Sequence, residues 1–292
     1  MKAQPGILAP LPAAGKFLTL SRVPGVEART LLDQVAAIGI DDARVVGIGE
    51  PLRVAVGGRV DGLHAFQPVV GKTGTFPSTQ GDLWVFQGGG DPGEVLLKAR
   101  QFMSRFSGLA TLDEEVSSHL FDGGRDLTGY EDGTENPQDS RAVEVALVPD
   151  GEPGMADGSF VAAQRWVHNL AAMERLAPAA RDAVIGRRRE SNEEIPDAPL
   201  SAHVKRTAQE SFSPPAFMLR RSMPYGDLRE HGLYFVAYGA SLDPFERVLA
   251  AMAGLADGTP DALLGMSRPV TGGYYFCPPV HAGRLDLRAF GR

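Results

Sequence analysis

The sequence predicts an α+β fold with antiparallel sheets, arranged as two similar halves. Strand-like and helix-like segments follow one another without regular alternation, which argues against a parallel α/β sheet. A strand-and-helix pattern that begins at Leu83 recurs at Leu233, so we expect an internal duplication. The length of 292 residues is sufficient for two domains of ordinary size.

The repeat joins a short strand to the start of a helix. Leu83–Gly88 precedes Asp91–Glu94 in the first half, and Leu233–Gly239 precedes Asp243–Glu246 in the second. In both, aspartate is a favoured cap, proline fits the first helical position and glutamate follows at the third. The two aspartates are 243 − 91 = 152 residues apart, about half the chain. We therefore interpret the pattern as a duplication, although this type of helix start is common.

The remaining elements fit two such halves. Ser159–Val167 alternates apolar and polar residues, as half-buried strands do. The other predicted strands are Phe17–Leu20, Val45–Ile48, Leu52–Val56, Phe217–Arg221 and Gly273–Phe276, and the predicted helices are Ala28–Ile38 and Met173–Arg189, the latter interrupted at Pro178. Residues 137–158 are rich in proline, glycine and aspartate. We place the boundary there, with an N-terminal half at 1–145 and a C-terminal half at 146–292.

Composition excludes several classes of function. The net charge is −7, from 29 basic and 36 acidic residues, which argues against a nucleic-acid partner. The basic cluster Arg187–Arg189 is followed by glutamates and is interpreted mainly as a solvated helix end. The single cysteine, Cys277, allows no intrachain disulfide. Its apolar surroundings predict a buried structural thiol.

The chain also lacks export and membrane signals. Prolines at positions 5, 10 and 12 interrupt the apolar residues near the N-terminus, where a secretory signal needs an unbroken core. No segment approaches the ~20 apolar residues of a membrane span. The sequence therefore predicts a soluble cytoplasmic protein without a membrane partner.

One loop, Gly129–Pro137, is unusually constrained. Its central Asp-Gly pair forms a turn readily, because glycine accepts positive φ and aspartate bonds its own backbone. Gly129 precedes this turn and Asn136-Pro137 closes it. Such a loop can hold the carboxylate of Asp132 at a fixed place in a pocket, although a plain turn remains an alternative.

One histidine and one arginine stand out by context. His203 lies in Ser201–Arg206, and Arg220 ends an apolar strand before a Pro-Tyr-Gly turn. A guanidinium at a strand end can point into a cleft, but from spacing alone a surface arginine is equally compatible. The histidines that compete as ligands are His64, His119, His168, His203, His231 and His281.

These segments together resemble the dye-decolorizing peroxidases, a family of haem enzymes. Gly129–Pro137 is similar to the family's signature loop, His203–Arg206 to its proximal-histidine segment and Leu219–Gly226 to its distal-arginine segment. Leu233–Tyr238 and Gly272–Phe276 are also similar, so the resemblance covers most of the chain. The short length resembles the compact bacterial subgroup. The resemblance implies duplicated ferredoxin-like domains, with haem b held mainly in the C-terminal half.

The resemblance also assigns roles to residues. It implies that His203 ligates the iron, with Asp132 and Arg220 on the opposite face of the haem. The further residues assigned to cofactor binding are Arg187, Gly133, Thr134 and Glu135, with Arg187 expected to meet a haem propionate. The subgroup often has asparagine two positions after the distal arginine, where this chain has Ser222. Ser222 is therefore a candidate for holding a distal water, with a shorter reach.

The activity implied is hydrogen-peroxide reduction coupled to one-electron oxidation of dyes or other aromatic donors. Asp132 would move the peroxide proton to the leaving oxygen, and Arg220 would stabilise the developing negative charge. Aspartic acid has a free-solution pKa near ~3.9, so dye oxidation is expected to peak at roughly pH 4–5. Bulky dyes would pass electrons through Trp166 or Tyr225, unless both serve only packing.

Three alternatives remain at this point. A chlorite-decomposing enzyme of related fold is disfavoured, because that family is usually described with a distal arginine and without this aspartate. A haem carrier or sensor needs a ligand but no distal acid–base pair. A non-haem binding module would show no haem absorbance. The family resemblance also suggests a homo-oligomer. No long linker and tail are evident before Arg292, so a protein nanocompartment is not an expected partner.

Overall fold

The computed structural model describes residues 2–292, and most of its strands join one sheet. The strands are β1 (Ala14–Arg22), β2 (Arg44–Gly49), β3 (Val69–Gly71), β4 (Gly74–Phe76), β5 (Leu83–Gly89), β6 (Ala110–His119), β7 (Ser159–His168), β8 (Leu219–Arg220), β9 (Met223–Gly226), β10 (His231–Gly239), β11 (Ser267–Pro269), β12 (Gly273–Cys277), β13 (Val280–His281) and β14 (Arg284–Leu285).

Helices cover the outside of this sheet. They are α1 (Ala28–Ala36), α2 (Glu50–Ala55), α3 (Pro92–Ser104), α4 (Asp139–Ala146), α5 (Leu170–Arg175), α6 (Pro178–Ile185), α7 (His203–Arg206) and α8 (Asp243–Met252). Short 3₁₀ helices occur at Pro5–Ile7, Gln209–Ser211, Ala262–Gly265 and Arg288–Phe290.

The strand order repeats between the two halves. In the first half the order is β2-β5-β1-β6, and in the second it is β9-β10-β7-β12, with antiparallel neighbours throughout. In each half, the first strand along the chain lies between the last two of these four strands: β1 lies between β5 and β6, and β7 lies between β10 and β12. Helices α1 and α3 connect strands of the first half, and α5–α8 connect those of the second. This is the ferredoxin-like arrangement formed twice, which confirms the predicted duplicated α+β fold.

The two halves close into a ring of eight strands. Strand β6 pairs with β9, β2 pairs with β12, and β7 pairs with β10. Aromatic side chains fill the interior, and the rings of Phe17 and Tyr234 stack with centroids 4.0 Å apart. The indole of Trp84 donates a hydrogen bond to the Tyr234 hydroxyl at 3.1 Å. A second apolar cluster packs the outer face of the sheet against α1, α3 and α8.

Both faces of β7 are consequently buried, and the prediction of a half-buried strand is wrong on this point. Val161 and Ala163 face the ring interior, while Ala162 and Trp166 lie under the helices. The sheet has packed layers on both sides along most of β7, and only Arg165, Val167 and His168 near its end are partly exposed. Cys277 is also fully buried, as predicted, and burial raises the pKa of its thiol.

Other local predictions need correction. Leu52–Val56 was expected to be a strand, but α2 occupies it, because Pro51 takes a first-turn position after the Gly49 cap. The predicted helix over residues 173–189 is divided between α5 and α6, and α6 ends at Ile185, before Gly186 with φ of 91°. Arg187–Arg189 therefore lie beyond the helix and do not form its solvated end.

The two repeated helix starts also differ in detail. Asp91 caps α3 as predicted, and its carboxylate accepts the Glu94 N–H at 2.9 Å. Asp243 does not cap α8, because the preceding Leu242 already has helical dihedrals and the helix begins one residue early. The Asp243 carboxylate instead pairs with Arg247, one turn along the helix.

Candidate active site

Two adjoining cavities lie between the sheet and the helices of the C-terminal half. Asp132, His203 and Arg220 line both, so three of the predicted site residues meet at one place. The first cavity is largely apolar, with walls from β10 and α8 that include Phe235, Phe245, Val248, Leu249 and Met252. The second is more polar and is bordered by the Asp132 loop and by residues 185–194.

His203 opens α7 and is held by a buried carboxylate. Its Nδ1–H donates to Asp261 Oδ2 at 2.7 Å, and Asp261 is only 1% exposed. The other Asp261 oxygen accepts the Leu263 N–H at 2.9 Å, which fixes the carboxylate at the start of a 3₁₀ helix. With Nδ1 occupied, Nε2 of His203 is the nitrogen left for a ligand, an arrangement that metal-binding histidines commonly show.

Arg220 ends β8 and points toward the Asp132 loop. Its Nη1 lies 3.5 Å from Asp132 Oδ1, and both side chains are about four-fifths buried. The Arg220 Nε is buried without a hydrogen-bond partner among residues 2–292. One carboxylate and one guanidinium therefore lie on the same cavity wall, and the guanidinium has an N–H group that is not hydrogen-bonded within the protein.

Asn136 fixes the main chain of Arg220. Its Nδ2 donates to the Arg220 carbonyl and its Oδ1 accepts the Arg220 N–H, both at 2.9 Å. Gly133 has φ of 82°, and a Cβ there would lie 2.7 Å from Asn136 Nδ2. Gly133 is thus required for this contact, and it is not among the residues that line either cavity.

A buried hydrogen bond ties the base of the loop to β7. His168 Nε2 donates to Asp126 Oδ1 at 2.9 Å, and His168 Nδ1 lies 2.7 Å from Ser267 Oγ. Burial acts to raise the pKa of Asp126, but hydrogen bonds from His168 and Thr128 outweigh it and lower that pKa below its usual value. His168 lines both cavities, yet both of its nitrogens are engaged, so it is a poor candidate for a metal ligand.

Of the remaining predicted site residues, some line the second cavity and one lies outside both cavities. Thr134, Glu135 and Arg187 line the second cavity. Arg187 already pairs with Glu135 at 2.6 Å and donates to the Asn192 carbonyl at 2.9 Å. Ser222 lines neither cavity, and its hydroxyl is buried without a partner among the described residues. The structure therefore does not bring Ser222 to the wall that Asp132 and Arg220 share.

Several residues of this site were not identified from the sequence. No carboxylate partner was assigned to His203, because Asp261 lies 58 residues further along the chain without a local motif. Asn136 was identified only as part of a turn. Gln164 carried a weak signal, as a polar residue among the apolar positions of β7. Its place in the cavity wall depends on pairing with β10.

A family model, "Dyp-type peroxidase, C-terminal", matches residues 123–282. A dye-decolorizing peroxidase of Brevibacterium linens is 31% identical over 93% of this chain and 79% of its own length. One from Mycobacterium tuberculosis is 31% identical over 94% of this chain and 88% of its own length.

Solved structures of dye-decolorizing proteins are also similar to this chain. A dye-decolorizing protein from V. cholerae superposes with a TM-score of 0.86 at 28% identity, covering 99% of both chains. A variant of DypB from Rhodococcus jostii RHA1 in complex with heme superposes with a TM-score of 0.86 at 30% identity, covering 93% of this chain and 94% of that one. Across residues 2–292, no helix has the length and apolar character needed to cross a membrane.

Proposed function

This chain belongs to the dye-decolorizing peroxidase family, and from that membership we propose that it reduces hydrogen peroxide at a haem b between His203 and the Asp132–Arg220 pair. Aromatic or dye-like donors supply the electrons, one at a time. The observation that carries the assignment of residues is that His203, held by Asp261, and Arg220, beside Asp132, line the same two cavities.

The residues present fit a haem. A neutral imidazole whose other nitrogen bonds a carboxylate is a suitable axial ligand, and His203 has this arrangement. The apolar wall of the first cavity suits a porphyrin face, and the polar second cavity suits its propionates. We propose that Arg187 binds a propionate and shares its charge with Glu135, with which it pairs. Thr134 lies on the same rim, and the Gly133 carbonyl accepts the Asn136 N–H within the loop.

When bound, haem supplies the iron that takes up peroxide and stores its oxidising equivalents. Asp132 would accept one proton from peroxide and return it to the oxygen that leaves as water. Arg220 would stabilise the negative charge that develops as the O–O bond breaks. The overall reaction would consume one peroxide, two electrons from the donors and two protons, and would yield two waters.

We also propose that the chain divides into an N-terminal half at residues 1–145 and a C-terminal half at residues 146–292. We propose a homo-oligomer in the cytoplasm, without nucleic-acid or membrane partners; the net charge of −7 supports the lack of a nucleic-acid partner. Light scattering during gel filtration tests the oligomer.

Absorbance of the haem-loaded protein tests the function. We expect a Soret band typical of histidine-ligated ferric haem, which changes on addition of one equivalent of peroxide and returns on addition of a dye. A carrier or sensor would show the band without the rapid change. A protein without any Soret band after loading with haem would contradict the proposal.

A further inference from the structure

Gln164 lies on the floor of the first cavity. It is on β7, where it pairs with Phe235 of β10, and the next pair on the same face of the sheet is Trp166 with Leu233. All four residues line the first cavity. Paired residues of antiparallel strands point to the same face of a sheet, so the Gln164 side chain leaves the sheet on the cavity side.

The same face carries Arg220. Ala237 of β10 pairs with Arg220 on one side and with Ala162 on the other. Ala162 precedes Gln164 by two residues, and residues two apart on a strand share a face. Gln164 and Arg220 therefore project into the same cavity from strands on either side of β10.

The orientation of the Gln164 carboxamide follows from its neighbour. Trp166 Nε1 lies 3.2 Å from Gln164 Oε1. An indole N–H can only donate a hydrogen bond, so the atom that faces it must be the oxygen. The amide nitrogen of Gln164 is left over. It is buried and has no hydrogen-bond partner among residues 2–292, and Gln164 as a whole is 2% exposed.

A buried donor without a partner is costly and rare in native proteins. Ser222, the residue expected to hold a distal water, does not reach the cavity wall. We propose that the Gln164 amide donates a hydrogen bond to the small oxygen ligand, peroxide or water, held beside Asp132 and Arg220. Asp132 only accepts when ionised and Arg220 only donates. Gln164 adds a neutral donor that takes no part in proton transfer.

This inference rests on the proposed function, and fluoride provides a probe that involves no turnover. Fluoride binds ferric haem on the open side and is a strong hydrogen-bond acceptor, so its affinity reports the donors present there. Gln164→Leu should raise the fluoride Kd about 10-fold or more, as expected for loss of one hydrogen bond to a charged ligand. Haem absorbance during fluoride titration measures this.

Two further variants remove ambiguity. Gln164→Met keeps the length of the side chain without the donor and should match Gln164→Leu. Trp166→Phe keeps the donor but frees the carboxamide, and should weaken fluoride binding less than either variant. Gln87→Leu is the matched control, because Gln87 is a buried strand glutamine outside both cavities, and its fluoride Kd should stay at the wild-type value.

The outcomes separate this inference from the proposed function. If Gln164→Leu and Gln164→Met retain the wild-type Soret band and the wild-type fluoride Kd, the role of Gln164 is refuted while the peroxidase assignment stands. A purely structural role would lower thermal stability without changing fluoride affinity, which also refutes it. If the wild-type protein shows no Soret band after loading with haem, the proposed function itself fails.

Discussion

The carboxamide of Asn136 forms two hydrogen bonds of 2.9 Å with the main chain of Arg220, one from its nitrogen and one to its oxygen. These bonds span 84 positions of sequence and join the Asp132 loop to β8. The distance of 3.5 Å between Arg220 Nη1 and Asp132 Oδ1 is therefore set by a direct link between the two segments that carry these side chains.

Gly133→Ala should disturb this link. The substitution places a side chain at φ of 82° with its Cβ 2.7 Å from Asn136 Nδ2. Because small displacements of positioned groups reduce rates steeply, we expect the peroxide step to slow roughly 10- to 100-fold. Stopped-flow absorbance of the haem measures it.

Gly108→Ala is the matched control for this variant. Gly108 has φ of 73°, and a Cβ there would meet nothing within 4 Å. It carries similar backbone strain without touching Asn136, so its peroxide rate should equal that of the wild type. Equal slowing in both variants would show that general destabilisation, and not the Asn136 contact, controls the rate.

Asp126→Asn should destabilise the haem-free protein in a pH-dependent way. The pKa of Asp126 is lowered in the folded state from its usual 3.8. Its stabilising contribution is therefore complete above pH 3.8 and is lost as the pH falls through the folded-state value. At pH 7 we expect a loss of about 1.5–3 kcal/mol in the free energy of unfolding, typical of a hydrogen bond to a charged group.

Urea denaturation at several pH values measures this difference, which should shrink in acid. Asp33→Asn is the control, because Asp33 forms a largely exposed pair with Arg292, and such pairs contribute roughly 0–1 kcal/mol. A penalty for Asp126→Asn that stays constant from pH 7 to below pH 3 would contradict the role of its charge.

His203→Ala should lose haem or its histidine-ligated spectrum. His203 is the histidine whose Nδ1 bonds buried Asp261 while its side chain faces both cavities. His64→Ala and His231→Ala serve as controls, because neither residue lines these cavities. A wild-type spectrum in His203→Ala after haem loading would exclude it as the ligand.

Local features of the fold could be predicted from the sequence, because they depend on neighbouring residues. The Asp91 cap and the run Leu83–Gly88 act within a few positions, and the duplication is visible because both halves keep the same local pattern. Closure of the ring between the halves, through β6 with β9 and β2 with β12, has no local signal. The Leu52–Val56 error has a different origin, since a short apolar run does not by itself distinguish a strand from a helix.

The residues of the candidate site also fall into those that local sequence identifies and those that only the fold brings to the site. Asp132, His203 and Arg220 were identified because each lies in a family-like segment. Asp261 and Gln164 were not, because what distinguishes them is the partner or the cavity that the fold brings to them. Ser222 was favoured because of its spacing from Arg220, but the short break between β8 and β9 buries its hydroxyl away from the cavity.

Tyr225→Phe should lower dye turnover while the peroxide step stays intact. Trp166 lines the first cavity, and Tyr225 lines a surface cleft on the other side. The Tyr225 hydroxyl donates to the Trp166 carbonyl at 3.2 Å, so the two residues connect the cavity to the surface. Burial, which outweighs the effect of Arg165, raises the pKa of Tyr225 to about 12, so the phenol is protonated during turnover.

Steady-state dye oxidation and stopped-flow haem oxidation, measured on the same Tyr225→Phe preparation, separate the two steps. Unchanged dye rates in this variant and in Trp166→Phe would rule out this route. A parallel loss of both rates would indicate damage to the cavity and would also contradict it.

The rate of haem oxidation by peroxide in Arg220→Leu and Asp132→Asn, followed by stopped flow across pH, tests the central claim most directly. We expect Arg220→Leu to slow this step at least ~100-fold, because a preorganised charge that stabilises the leaving oxygen is lost. Asp132→Asn should slow it less and flatten its pH dependence, since water can relay the proton. Wild-type rates and pH dependence in both variants would contradict the assignment of Asp132 and Arg220 as the peroxide-cleaving pair.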